Sequence, residues 1–183
     1  ADAVIDLVDG KAGTADIVEV TGSVSVGVAG SDTLARITNV EKFVAASHAN
    51  GSDNLSHVFT IGSNAALSDF TTIDFSADLD TASDTTINVT GVTTALTIKG
   101  AAAAVNVITG GGGIDTITGG SGVNTITGGA AADTITGGAS NDTIKYTSSA
   151  ELMAATANAD AVIDLVDGKA GTADIVEVTG SVS

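Results

Sequence analysis

The chain has no cysteine and no proline in 183 residues, only 3% of it is aromatic, and six Lys and Arg residues face 22 acids. Each shortage excludes something. Without cysteine there is no disulfide framework, so an exported protein of this sequence needs another staple, and bound metal is the natural substitute. Without proline every backbone N–H stays available to a hydrogen-bond ladder, which suits stacked parallel strands. Scarce aromatics argue against a broad globular core; the 43% hydrophobic fraction is mostly Ala, Val, Ile and Leu, side chains sized for a narrow solenoid. The formal charge of −16 disfavours nucleic acid or an anionic membrane as partner and makes cations the expected counter-ions. No apolar run is long enough to span a bilayer as a helix, and no signal-peptide pattern opens the sequence. The sequence carries no H-E-x-x-H, G-x-S-x-G or phosphate-binding glycine loop. His48 and His57 lack metal-ligand spacing and are expected to be surface or packing residues. No catalytic residue, and no enzymatic activity, is expected.

What the chain does have is a phased glycine-rich block. Gly110 to Lys145 reads as four nonapeptides of the form G-G-x-G-x-D-x-U-x, with Ile117, Ile126, Ile135 and Ile144 always in the eighth place. Paired glycines let the backbone approach a cation closely, the Asp turns its carboxylate into the turn, and the Thr-Ile-Thr strand that follows points its Ile inward. Alternate units stack, so units one and three share one edge of a flattened coil and units two and four the other. Calcium is the expected cofactor, held between stacked turns by oxygen ligands. On the first edge the candidates are Asp115 and Asp133 with Gly110, Gly112, Gly113, Gly128 and Ala130. On the second they are Asn124 and Asp142 with Gly119 and Ser121, preceded one rung earlier by Asn106. Charge ranks the edges: two carboxylates on the first should bind more tightly than an amide and a carboxylate on the second, and loss of the Asn124 amide should matter little. The fourth-place glycine is replaced by Ala131 and Ser140 in units three and four.

The second feature is a duplication. Residues 1–25 recur letter for letter as 159–183, an offset of 159 − 1 = 158. Two identical elements would compete for one slot in a single small domain, so 1–158 reads as one repeat unit, with the roll at 101–145, and 159–183 as the start of the next. The duplicated tail holds five acids and one lysine, which leaves −16 − (−4) = −12 per unit. Elsewhere Thr, Val and Ile alternate with polar residues, giving strands within Asp16–Gly30, His57–Gly62, Thr71–Ser76 and Thr85–Gly100. Two Ala-rich stretches, Asn39–Ala49 and Ser149–Ala159, are expected as short helices. The fold class expected is all-β: a right-handed parallel β-roll or β-helix with little helix.

The nonapeptides resemble those of the repeats-in-toxin (RTX, haemolysin-type calcium-binding) family, and the surrounding strands look like bacterial surface-layer proteins and giant repeat adhesins. Asn141–Val178 is similar to the segment that follows such repeats, with Tyr146, Asp160, Asp164, Gly168 and Asp174 at its aromatic, acidic and glycine places; Ser31–Phe43 resembles a connector found beside them. The resemblance implies export by a type 1 secretion system of a Gram-negative bacterium and folding by external calcium. The expected role is a structural unit of an extracellular surface layer, filament or adhesin stalk on the bacterial surface. Its partners would be copies of itself, and any anchor to cell-surface polysaccharide would lie elsewhere in the protein. The alternatives are an RTX module of a secreted enzyme or toxin, and ice or ligand binding through Thr-x-Thr rows.

Overall fold

A computed structural model describes residues 8–11, 16–20, 25–26, 37–45, 57–61, 70–82, 84–147, 153–154, 162–163, 165–169 and 173–179. Among them every regular element is a strand, and the strands stack in two parallel seven-stranded sheets. The first sheet runs β2 (Ile17–Val20), β5 (Lys42–Ala45), β7 (Thr72–Asp74), β9 (Thr97–Lys99), β11 (Thr116–Thr118), β13 (Thr134–Gly138) and β17 (Leu165–Lys169). The second runs β3 (Ser25–Val26), β6 (His57–Thr60), β8 (Asp84–Asn88), β10 (Val105–Thr109), β12 (Asn124–Thr127), β14 (Thr143–Tyr146) and β18 (Ile175–Val178). Two small pairs complete the set: β1 (Val8–Asp9) with β4 (Ile37–Thr38), parallel, and β15 (Met153–Ala154) with β16 (Val162–Ile163), antiparallel. Alternation between the sheets from β7 to β14 makes this the parallel β-roll that the glycine phase predicts.

Register explains the isoleucine spacing. Val18, Phe43, Ile73, Ile98, Ile117 and Ile135 lie in line up the first sheet. Phe59, Ile87, Ile108, Ile126, Ile144 and Val176 do so up the second. Between the sheets the isoleucines are almost wholly buried, each side chain filling a slot one strand spacing high, about 4.8 Å. The few aromatics are concentrated in the lower coils: Phe43 and Phe59 pack with ring centres 4.4 Å apart, and Phe75 sits edge-on to both. His57 is buried there as well, stacked on Phe75 with its Nε2 3.1 Å from the Asp78 carboxylate, which makes it a packing residue. His48 lies outside the described residues.

Neither expected helix is found where the chain is described. Within Asn39–Ala49, Asn39 adopts φ 53° and ends any helical path, after which β5 buries Phe43 and Ala45 and leaves Lys42 and Val44 at the surface edge. That burial has a period of two, hidden in sequence by the alanines that follow. Within Ser149–Ala159, Met153–Ala154 is a strand paired with β16; the remainder of both stretches lies outside the described residues. The other expected strands are present, with the Asp16–Gly30 stretch broken into β2 and β3 and the Thr85–Gly100 stretch into β8 and β9.

Candidate metal centre

The nine-residue phase places one Asp or Asn just before or at the start of every strand of the roll, and their side chains point back into the turns. On the first edge the Asp115 carboxylate accepts from the backbone N–H of Leu96 (2.8 Å) one rung below and of Gly111 (2.9 Å) in its own turn. Asp133 repeats the first contact one rung up, accepting from the Asp115 N–H at 2.8 Å. On the second edge Asp142 accepts from the Asn124 N–H (2.9 Å), and Asp174 from the Asp142 N–H (2.8 Å). Each of these carboxylates therefore caps the turn beneath it with one oxygen, whereas the amide oxygens of Asn106 and Asn124 accept the Ala101 (2.8 Å) and Gly120 (3.1 Å) N–H groups of their own turns.

Oxygens converge in those interiors because glycine leaves room for them. A Cβ on Gly110 would collide with the Gly128 carbonyl and lie 2.8 Å from Asp115 Oδ2; one on Gly128 or Gly137 would strike Asp133 Oδ2 or Asp142 Oδ2. Gly119 is likewise closed in by the Gly137 carbonyl and the Asn124 amide. Gly112 and Ala130 hang from the rung below, through N–H bonds to the carbonyls of Val92 (2.7 Å) and Gly111 (2.9 Å), and Gly113 packs on Thr94. Ser121 donates its N–H and hydroxyl to the Ala102 carbonyl, and its own carbonyl accepts the Ser140 hydroxyl at 2.7 Å. Ala131 takes φ 73° without a glycine's freedom, so the third turn keeps its shape under local strain.

The two edges differ in how these oxygens are satisfied. Asn124 Nδ2 reaches the carbonyls of Gly122 (2.8 Å), Gly120 and Gly137 (3.2 Å each) and Asp142 Oδ1 (2.8 Å). Asn106 Nδ2 does the same one rung lower, reaching the carbonyls of Ala101 (3.1 Å) and Ala104 (3.2 Å) and Asn124 Oδ1 (2.8 Å). Each amide nitrogen thus occupies the centre of an oxygen cage, the place a cation would take. Asp115 and Asp133 bring carboxylates and no such donor. They are buried, and burial pushes the Asp115 carboxyl above its ordinary value of 3.8, against the pull of its two backbone N–H donors. Burial also raises Asp142, helped by the nearby Asp174 charge and opposed by the Asn124 donors. Asp142 Oδ2 is buried without a hydrogen-bond partner.

A buried carboxylate held above its ordinary pKa is the state a cation relieves. The residues present fit calcium, a hard ion that takes six to eight oxygens from carboxylates and carbonyls. Asp115 and Asp133 with the Gly110 and Gly128 turns would hold one ion, and Asp142 with Asp174 another. Asp174 is not among the candidates read from the sequence: a strict phase places the next acid 18 residues after Asp142, at Asp160, whereas Asp174 stands 32 residues on, after the antiparallel pair β15–β16 and the coil strand β17. No group of three or more His, Cys, Asp or Glu gathers among the described residues, so the additional oxygens would come from backbone carbonyls, amide side chains or water.

The RTX calcium-binding nonapeptide repeat matches residues 105–144 in four copies, the span just described. Comparison with curated proteins and with solved structures found no match. This segment therefore carries RTX nonapeptide repeats, known calcium-binding motifs, folded as a β-roll. Among the described residues no helix is long and apolar enough to cross a membrane.

With calcium withheld, the raised carboxyls set a pH dependence. The folded chain binds protons at Asp115 and Asp142 more tightly than the unfolded chain, so stability falls as pH rises from the ordinary carboxylate value through the raised one. Through these two groups, melting in chelator should therefore occur at higher temperature near pH 4 than near pH 7, whereas with calcium, which competes with those protons, acid should raise the calcium midpoint for folding. Thermal melts at both pH values, with and without calcium, check the two signs.

Proposed function

We propose that the chain is a calcium-dependent structural repeat unit of an extracellular bacterial assembly: a surface layer, filament or adhesin stalk, with no catalytic role. The observation that carries this reading is the 25-residue duplication at an offset of 158, since identical copies serve a lattice or spacer and are surplus to a secreted enzyme's folding module. Calcium supplies positive charge at the turns, and the chain's own residues do the rest. Asp115, Asp133, Asp142 and Asp174 fix the turns by accepting rung-to-rung N–H bonds, and the isoleucine columns bury the strands' inner face.

Export follows the same physics: where free calcium is scarce the acidic chain stays extended, and millimolar external calcium, the range of extracellular modules, closes the turns. The threonine rows favour no separate ice-binding role. Thr72, Thr97, Thr116 and Thr134 align, but the parallel row reads Asp74, Lys99, Thr118, Thr136, and its charged members are ion-paired at 3.4 Å. Electron microscopy of multi-unit chains tests the proposal. Ordered filaments or sheets in calcium that disperse in chelator are expected; chains that stay monomeric and unassociated in calcium would contradict it.

A further inference from the structure

The two copies of the duplicated segment use opposite edges of the same strand. In the first copy Asp16–Val20 is the terminal strand of the first sheet, and its partner β5 comes later in the chain, in the register Ile17↔Lys42, Val18↔Phe43, Glu19↔Val44, Val20↔Ala45. In the second copy the same five residues, Asp174–Val178, end the other sheet, and their partner β14 comes earlier, as Thr143↔Ile175, Ile144↔Val176, Lys145↔Glu177, Tyr146↔Val178. The backbone groups engaged do not overlap. The Asp16 carbonyl accepts from Glu41 and Lys42, whereas Ile175 and Thr179 donate their N–H groups to Asp142 and Tyr146.

The preceding strand shows the same division. β1 pairs with the later β4, and its copy within β17 pairs with the earlier β13. Side chains agree with the backbone. Val176 continues the buried column of Ile126 and Ile144 yet is 57% exposed, while its copy Val18 packs into the core beside Phe43. Asp16 donates its N–H to the Glu41 carboxylate at 2.8 Å, the rung-to-rung contact that Asp142 makes with Asp174.

Resting on the repeat-unit reading above, we infer that successive units join as one uninterrupted solenoid through this segment, a single strand pair bonded below to β13 and β14 of one unit and above to β4 and β5 of the next. The occupant of the open β18 edge is thus a second copy of this chain, whose Phe43 covers Val176 and whose Glu41 accepts from the Asp174 N–H. The sheets exchange roles at each junction, because β14 belongs to the second sheet and β5 to the first. Six strand steps separate β2 from β17, which sets an axial rise of about 30 Å per unit at the usual strand spacing.

The test is a two-unit chain, residues 1–183 continued by a second copy of 26–183, with Thr118→Cys in both units carrying spin labels; the sequence has no other cysteine. In calcium, electron–electron distance measurements should give one narrow peak at roughly 30–40 Å, the axial rise plus the offset between sheets. Val176→Asp should broaden it while circular dichroism of each unit is retained. A broad, long distribution in the unaltered chain with both units folded would overturn the junction and leave the calcium reading standing. A narrow peak that persists in chelator would support the junction and count against calcium dependence.

Discussion

Asp133→Ala is expected to raise the calcium concentration needed for folding by about tenfold or more, because it removes one of two charges from a shared cation site, and ligand charge is a main determinant of calcium affinity. It also removes the acceptor of the Asp115 N–H. Asp133→Asn separates the two effects: the amide oxygen can keep that bond, and the nitrogen can enter the turn as the Asn124 nitrogen does. The asparagine variant should therefore lose calcium affinity yet hold more structure in chelator than the alanine variant. Calcium titrations followed by circular dichroism read both quantities; equal behaviour of Asp133→Ala and the unaltered chain would mean that this edge binds no calcium.

The opposite exchange on the other edge should create a calcium requirement. Asn124 is buried, and its amide satisfies Gly120, Gly122, Gly137 and Asp142. Charge counting alone gives its loss little weight; the structure corrects this. Asn124→Ala strips donors from several buried oxygens and should cost on the order of 2–4 kcal/mol with or without calcium. Asn124→Asp removes the same donors and sets a second carboxylate against Asp142, so in chelator it should be at least as damaging, by about 3 kcal/mol or more. Calcium should restore it and leave Asn124→Ala unrestored. Melting curves of the two variants at low and high calcium decide the point: an aspartate variant that calcium does not rescue would show that the turn cannot exchange an amide for an ion.

Much of this was legible because a solenoid makes its contacts at fixed sequence intervals. The 18-residue separation of Asp115 from Asp133 and of Asn124 from Asp142 follows from the glycine phase alone, as do the pairings Thr116↔Thr134 and Ile126↔Ile144. Where the phase is interrupted, counting fails. Asp174 replaces Asp160 above Asp142 because β15 and β16, which pair with each other, come between β14 and the next coil strand, β17, and nothing local to either acid encodes that insertion. The strand at Lys42–Ala45 was obscured by neighbouring alanines, whose small side chains fit a helix and a strand equally. The amide cages were unreadable for another reason: Asn and Asp are interchangeable in the pattern, and only their packing shows that the Asn amide nitrogen donates to the turn's oxygens, which a carboxylate cannot do.

The account rests on calcium as the missing partner of the Asp115, Asp133 and Asp142 carboxylates, and melting of the 183-residue chain in chelator, in magnesium and in calcium tests it most directly. Each occupied site should add about 2.7 kcal/mol at a hundredfold excess over its dissociation constant. The melting temperature should climb with calcium concentration, and magnesium, which keeps its waters and demands a tighter octahedron, should substitute poorly. A melting temperature that is the same in chelator and in calcium would contradict the account.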